Sequence, residues 1–337
     1  MKKLNKDLNL LLKVFLKVNN FIYTLTMKSK KLISIVIPIY NEELGISELV
    51  KQLTKFVDKN NNYDFEIIFV EHGSIDNSFK LLQKISEKDG RIKILQLSKN
   101  FGCDGGIAAG MRFARGDACV IMMADLQEPV ELISEFIKKW EQGYEIVYGI
   151  VKKRTAGIIR NASSILFYKI INSFTKNMFP ENASDFRLID KRVYQAINQM
   201  GEQNKYLRGL IMWTGFKHIG IPFNRSKRFA GESKANFITV LKVAFNGIFS
   251  FSYLPLRFVT GLGITITVIS FLMILFYLYI FIVHGREAPG AATTILLTLS
   301  LFGILFFVLG IISEYLARIY DEVKARPPFI IKDKINL

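Results

Sequence analysis

Cysteine is scarce in this chain of 337 residues, which has only Cys103 and Cys119. Two thiols cannot build a disulfide framework, and neither stands in a metal-type pair, so an oxidised secreted scaffold and a zinc site are both excluded. A reducing, cytosolic setting for the folded part fits, with each thiol read as a small buried hydrophobe. Acidic residues are few: 29 Asp and Glu stand against 45 Lys and Arg, a formal net charge of +16. Only 22% of residues are charged and 50% are apolar, which excludes a disordered basic tail and a fibrous protein. Internal repeats and low-complexity tracts are absent. A mean hydropathy of +0.25 beside a pI near 9.6 points to a membrane surface as the partner. Nucleic acid is the rival partner for such a charge, but the basic–aromatic interleaving or recognisable module it requires is missing, so no nucleic-acid partner is expected.

The apolar excess is concentrated near the C-terminal end. Residues 258–283 and 291–313 are two runs without a charged residue, each long enough as a helix to cross a hydrocarbon core of about 30 Å. Lys234, Lys242 and Arg257 precede the first run, and Arg318, Lys324, Arg326, Lys332 and Lys334 follow the second. The positive-inside rule therefore predicts a hairpin in the cytoplasmic membrane with both ends, and the catalytic domain, in the cytosol. The phenylalanine-rich stretch 234–257 reads as an interfacial amphipathic segment, residues 314–337 as a cytosolic tail, and residues 1–31 as an N-terminal extension.

Between these, residues 32–233 carry an alternating pattern. LISIVIPI (32–39), FEIIFV (65–70), IKILQL (92–97), ACVIMM (118–123) and EIVYGI (145–150) are near-continuous apolar runs, separated by helical periods at 43–57, 78–87, 105–115 and 130–141. Strands buried on both faces and linked by helices make an α/β fold, a doubly wound and mostly parallel sheet. Ligands in such sheets gather beyond the carboxyl ends of the strands, so chemistry is expected in PIYNEE, EHGSIDNS, SKNFGCDGG and ADLQEP. Residues 151–233 are strongly basic, and most of those cations, Arg208 among them, read as a solvated face.

Asp125, Gln127 and Glu128 form an oxygen-ligand cluster just past a strand. A carboxylate and an amide oxygen spaced in this way suit Mg²⁺ or Mn²⁺ held jointly with substrate phosphates, although a lone Asp at a strand end is also an ordinary helix cap. Pro38, Tyr40, Asn41 and Glu42 follow the first strand and Glu71, His72, Gly73, Ser74 and Asp76 the second, so three strand ends present groups suited to a base, a ribose and a diphosphate.

SIVIPIYNEE, LSKNFG, ARGD, ADLQEP, SDFRL, RFAGESK, FSYLPLR and EVKARPPFII follow one another in this order. By that ordered set the chain resembles, from Leu32 to about Ile331, the inverting family 2 glycosyltransferases that make polyprenyl-phosphate sugars. The resemblance implies a GT-A-like nucleotide-binding fold and transfer of a sugar from a UDP- or GDP-sugar to polyprenyl phosphate, serving cell-envelope glycan synthesis or glycosylation. It implies that Pro38, Tyr40, Glu42 and Glu71 contact the nucleoside, that Asp125 and Gln127 hold the metal, and that Arg228 and Lys234 clamp the phosphates. Asp185 and Arg187 of SDFRL are then placed at the acceptor side, Asp185 as base or orienter, with Arg160, Arg187 and Arg225 facing the lipid phosphate. Association into a homo-oligomer is expected of this hairpin branch.

Two positions depart from the family pattern. His72 follows Glu71 where an acidic pair is usual, and Met123 stands where the metal loop ordinarily has its first carboxylate; a thioether does not ligate a hard cation. These departures motivate the alternative of a catalytically silent member that binds lipid or protein. A processive polysaccharide synthase, the other alternative, is expected to show a Gln-x-x-Arg-Trp motif and more spans.

Overall fold

A computed structural model describes residues 30–152, 180, 182–203, 205–226, 228–229, 249, 252, 254–284 and 290–337. The elements run in chain order as β1 (Leu32–Ile39), α1 (Glu43–Lys59), β2 (Asp64–Glu71), α2 (Ser78–Ser86), β3 (Ile92–Leu97), α3 (Gly102–Phe113), β4 (Ala118–Ile121), α4 (Leu132–Glu141) and β5 (Ile146–Val151). They continue as β6 (Ala183–Asp190), α5 (Lys191–Gln199), α6 (Leu207–Trp213), β7 (His218–Phe223), α7 (Leu254–His284), α8 (Ala291–Lys324) and β8 (Ile331–Ile335). One sheet of eight strands carries the order β7-β5-β6-β4-β1-β2-β3-β8.

The centre of the sheet follows from residue type. In β1 the odd-numbered isoleucines Ile33, Ile35, Ile37 and Ile39 face α1, burying Ile46, Leu49 and Leu53, while Val36 faces the opposite layer with Ile107 and Ala109 of α3 and Val193 and Tyr194 of α5. Burial on both faces explains why the sequence is apolar at both parities. β1 pairs in parallel with β2 and β4, β2 with β3, and β5 with β7. The antiparallel pairs are those made by β6 and β8. All five strands expected from the apolar runs form, within two residues of the expected ends, and β6, β7 and β8 complete the sheet.

Helix α3 approaches β1 and β2 at close range. A β-carbon added at Gly110 would lie 2.2 Å from Val36 Cγ1, and one at Gly106 would lie 3.2 Å from Pro38 Cβ. The glycine-bearing helix is thus what lets its N-terminal turn reach the strand ends where the site lies.

At the opposite, amino end of the strands a polar knot is buried. Ser34 donates to Glu66 Oε1 at 2.5 Å, Lys93 reaches Oε2 at 2.6 Å, and the Arg115 amide donates to Oε1 at 2.7 Å. Burial alone would raise the Glu66 carboxyl, but these donors outweigh it and hold the group below its ordinary range.

Helices α7 and α8 leave the sheet. Leu254–Ile280 and Ser300–Lys324 are long and apolar enough to cross a membrane, with mean hydropathies of 2.3 and 2.0, and among the described residues none buries their apolar stretches. The second helix has 34 residues and reaches beyond the apolar run that ends at Ser313. At about 50 Å it is longer than a hydrocarbon core of about 30 Å, and its last turns are charged. Those turns touch the sheet domain: the Gln203 amide donates to Glu322 Oε1 at 2.9 Å.

The chain then returns. β8 pairs antiparallel with β3, the Ser98 amide donates to Ile330 O, and the Asn336 side-chain amide donates to Ser86 O and Ile92 O, both at 3.0 Å. The tail is therefore an edge strand of the catalytic sheet. The N-terminal extension and almost all of 234–257 lie outside the described residues; of that segment Phe249 stacks edge-on against Tyr315 at 5.2 Å.

Candidate active site

Three groups of side chains meet beyond the carboxyl ends of the strands. The first is built by β1 and β2. The register sets Ile39 beside Glu71, bringing Pro38, Tyr40 and Glu71 together. Asn41 turns the chain with φ 54°, a left-handed conformation that asparagine tolerates. Its side chain accepts from the Ile75 amide and its own amide donates to Ser74 Oγ. Glu71 is buried and its carboxylate accepts from the Ser74 amide. Glu42 stands just ahead of α1, its amide donating to Ser78 Oγ.

His72 shapes this group too. It is buried, stacks on Tyr40 with ring centroids 5.3 Å apart and planes 20° apart, and its Nδ1 lies 3.1 Å from Asn100 Oδ1. The same Asn100 oxygen accepts from the Gly102 amide at 2.8 Å, so the imidazole ties the Tyr40 ring to the start of α3.

The second group is the loop after β4. Asp125 is buried, its Oδ1 accepts from the Gln127 amide at 3.2 Å, and its Oδ2 lies 3.3 Å from Arg228 Nη2. Leu126 between them has φ 57°, a costly conformation for a leucine that turns the loop back on itself. Gln127 donates its side-chain amide to Ser226 O, and the Ser226 amide donates to Gln127 O, so this loop and the segment after β7 that carries Arg228 hold each other. Beneath them Glu128 is fully enclosed: it accepts from the Met123 amide at 3.0 Å and from Ser184 Oγ at 2.8 Å. Burial pushes its carboxyl up to about 7 despite those donors.

The chemistry of this donor set fits a divalent cation in one way only. Among the described residues no cluster of three or more His, Cys, Asp or Glu could hold a metal. One carboxylate and one amide oxygen match the pattern of Mg²⁺ bound through one or two protein ligands plus substrate phosphates and water. Met123 turns away from that role. Its sulfur lies 3.8 Å from Cys103 Sγ, and Cys103 is exposed, unlike the buried Cys119, which corrects the expectation that both thiols sit in the core.

The third group centres on Asp185 of β6. Arg208 of α6 grips it as a fork, Nε to Oδ1 at 2.9 Å and Nη2 to Oδ2 at 2.6 Å, and Arg187 Nη2 lies 3.3 Å from Oδ1. Burial would raise the Asp185 carboxyl, but Arg208 first, then Arg187 and Arg225, hold it below the usual carboxylate range. A carboxylate held in this way is a weak proton acceptor. Asp104, on the first turn of α3, shows the reverse: burial and the nearby Asp185 push its carboxyl up to about 7 against the pull of Arg208 and Arg187. A pocket of about 80 Å³ joins this group to the second, lined by Met123, Glu128, Val151, Asn182, Ala183, Ser184, Asp185, Arg208 and Arg225.

The structure thus brings Pro38, Tyr40 and Glu71 together, Asp125, Gln127 and Arg228 together, and Asp185 and Arg225 around one pocket, with Arg187 buried against Asp185. Arg160 and Lys234 lie outside the described residues. Arg208, assigned from sequence to a solvated face, is in the site, and so are His72, Asn100 and Asp104. The available signal for Arg208 was its position as the one charge in the apolar run Tyr206–Trp213.

Residues 34–197 match the family model described as glycosyl transferase family 2. The chain is 38% identical over 305 residues to the uncharacterized glycosyltransferase YkcC of Bacillus subtilis, covering 90% of this chain and 94% of that protein. It is 34% identical over 301 residues to the bactoprenol glucosyl transferase of Shigella phage SfII, covering 89% and 97%. Among solved structures, glucosyl-3-phosphoglycerate synthase from Mycobacterium tuberculosis superposes with a TM-score of 0.44 at 15% identity, covering 66% of this chain and 80% of that one. With relatives this similar along nearly its whole length, and with its acidic and basic groups gathered at the strand ends of the matched sheet, the chain belongs to glycosyltransferase family 2.

Proposed function

We propose that this glycosyltransferase moves a sugar from a nucleotide sugar to the phosphate of a polyprenyl phosphate at the cytosolic face of a membrane, inverting the anomeric centre. The observation that carries the reading is the union in one chain of a strand-end site and two apolar, bilayer-length helices, the second of them hydrogen-bonded to the sheet domain between Glu322 and Gln203. A lipid acceptor has its head at the interface and its tail in the bilayer, and a domain tethered in this way meets it at that depth. The name bactoprenol glucosyl transferase, borne by relatives such as that of phage SfII, supports the lipid acceptor and makes a glucosyl donor the first to test.

The step is a single in-line displacement. An oxygen of the acceptor phosphate forms the new bond to the anomeric carbon, and the bond from that carbon to the donor diphosphate breaks, its electron pair leaving with the nucleoside diphosphate. A phosphate monoester is largely dianionic at neutral pH, so no proton has to be removed from the nucleophile. Tyr40 and Glu71 hold the nucleoside, and Arg228, with Lys234 of the same segment, offsets the charge of the leaving diphosphate. Asp125 and Gln127 would hold a Mg²⁺ or Mn²⁺ ion, which when bound supplies further charge neutralisation there. Residues 234–257 lie at the interface, both termini face the cytosol, and the hairpins of several copies associate.

The test is transfer of labelled sugar from a panel of UDP- and GDP-sugars to a short-chain polyprenyl phosphate by detergent-purified protein. Organic-extractable product from one donor, lost with EDTA and with Asp125→Ala, is expected. A folded protein that yields no lipid product from any donor overturns the reading in favour of a silent, lipid-binding family member.

A further inference from the structure

The pocket between the loop after β4 and strand β6 carries more positive charge than its neighbours neutralise. Arg187, Arg208 and Arg225 surround Asp185, a carboxylate held ionised, while Glu128 in the pocket wall and Asp104 nearby are pushed up to about 7 and carry only part of a negative charge at neutral pH. Positive charge therefore exceeds negative, an excess that suits an anion such as a phosphate monoester.

The arginines differ in how firmly they are held. Arg187 is buried and donates to the Ser184 carbonyl at 3.0 Å as well as to its own neighbour Asp185, so its strand fixes it. Arg208 instead reaches the pocket from the short helix α6, and its side chain keeps 31% of its surface exposed. Its fork on the two Asp185 oxygens is the geometry that a guanidinium also uses for two oxygens of a phosphate. Met123, in the same pocket wall, is two residues from Asp125, so an anion bound there lies next to the loop assigned to the donor diphosphate.

We propose that Arg208 binds the acceptor phosphate, and that Asp185 is a stand-in for that phosphate, holding the guanidinium fork in the pocket until a phosphate monoester takes it over. Asp185 is then a positioning residue and not the general base. The inference rests on the proposed transfer to a lipid phosphate and adds to it the identity of the anion site and a competition inside it.

The experiment is steady-state kinetics of the full-length protein in detergent, with a short-chain polyprenyl phosphate and the active nucleotide sugar varied independently. Arg208→Lys keeps the charge and loses the fork, so the acceptor KM rises about tenfold, the loss of one charge-assisted hydrogen bond, while the donor KM stays put. Asp185→Asn weakens the competitor, so the acceptor KM falls by about threefold or more. A donor KM that rises in place of the acceptor KM assigns Arg208 to the diphosphate and overturns the proposal. A hundredfold loss of kcat in Asp185→Asn at constant acceptor KM makes Asp185 the base, with the same consequence. Calorimetric binding of the nucleoside diphosphate reports folding of each variant, and Arg208→Gln under the same acceptor-KM criterion replaces a lysine variant that fails it. If the unaltered enzyme forms no lipid-linked product, the functional reading fails first; if it forms that product and Arg208→Lys keeps the acceptor KM, only this assignment fails.

Discussion

Asp125 and Arg228 lie 3.3 Å apart across 103 residues of sequence, joining the loop after β4 to the segment that follows β7. On the proposed reading the pair sets a carboxylate suited to a cation beside a guanidinium suited to a diphosphate, so two charges that a departing nucleotide would need are held in one place. Preorganised charge of this kind is usually the largest single contribution to catalysis.

Removing either member should therefore act on rate more than on fold. Asp125→Asn is expected to lower sugar transfer by about 10² to 10³, the scale of losing one preorganised electrostatic contact. Arg228→Gln is expected to lower it comparably and to weaken nucleoside diphosphate binding. Transfer assays with calorimetric nucleotide binding check both; activity within a few-fold of the unaltered enzyme would remove Asp125 from the reaction.

Gly110→Ala should destabilise the sheet domain and leave the site's side chains intact. The added methyl would meet Val36 Cγ1 at 2.2 Å, so α3 must shift outward, and overpacking of this kind costs about 1–3 kcal/mol. Thermal unfolding should show the loss, and Val36→Ala in the same chain should restore part of it. Additive losses in the double variant would show that the contact is not the cause.

Two carboxyls, Glu66 buried and Asp104 half-buried, predict opposite pH dependences. Glu66 is held below its ordinary value by Lys93, Ser34 and Arg115 against the pull of burial. Its contribution to stability is full above the unfolded-state pKa of about 4.3 and is lost as pH falls through the folded-state value. Asp104 is pushed up to about 7, first by burial and then by Asp185, so the folded state binds the proton more tightly than the unfolded one. Stability accordingly declines as pH rises from about 4 towards 7. Asp104→Asn should raise the melting temperature at pH 8 and leave it little changed at pH 4, whereas Glu66→Gln should lower it at pH 8 and flatten its fall in acid. Melting curves across pH 3.5 to 8.5 check both signs.

Deleting residues 326–337 should expose the edge of β3, which β8 now pairs. An uncovered edge strand is a template for intermolecular pairing, so the truncated protein should aggregate in detergent. Asn336→Ala, which removes two hydrogen bonds to Ser86 O and Ile92 O, should cost about 1–3 kcal/mol without aggregation. Size-exclusion profiles with melting curves distinguish the two effects.

Much of the fold was legible because β1 to β5 lie between two helical layers and so are apolar on both faces at most positions. β6 was not: ASDFRLID alternates charge with apolar residues because Arg187 is buried against Asp185 and the Ser184 carbonyl, a cost that composition cannot reveal. β8 was illegible for another reason. IKDKI pairs with a strand more than two hundred residues earlier and shows the charged character of an edge. In the site, the strand-end motifs carried their own signal, since the fold puts ligands there. Arg208 did not, because in a strongly basic chain the usual reading of a cation is solvent, and only its fork on Asp185 separates it from the rest.

The return of the chain to β3 also imposes an order on biosynthesis. β8 follows both apolar helices in sequence, so a ribosome delivers the strand that closes the sheet only after the hairpin has been made. Until then the nascent domain carries an open edge beside the segment that leads to Asn100 and α3. Completion of the sheet is thereby linked to synthesis of the two apolar helices, and a chain interrupted before them is left with an unfinished sheet.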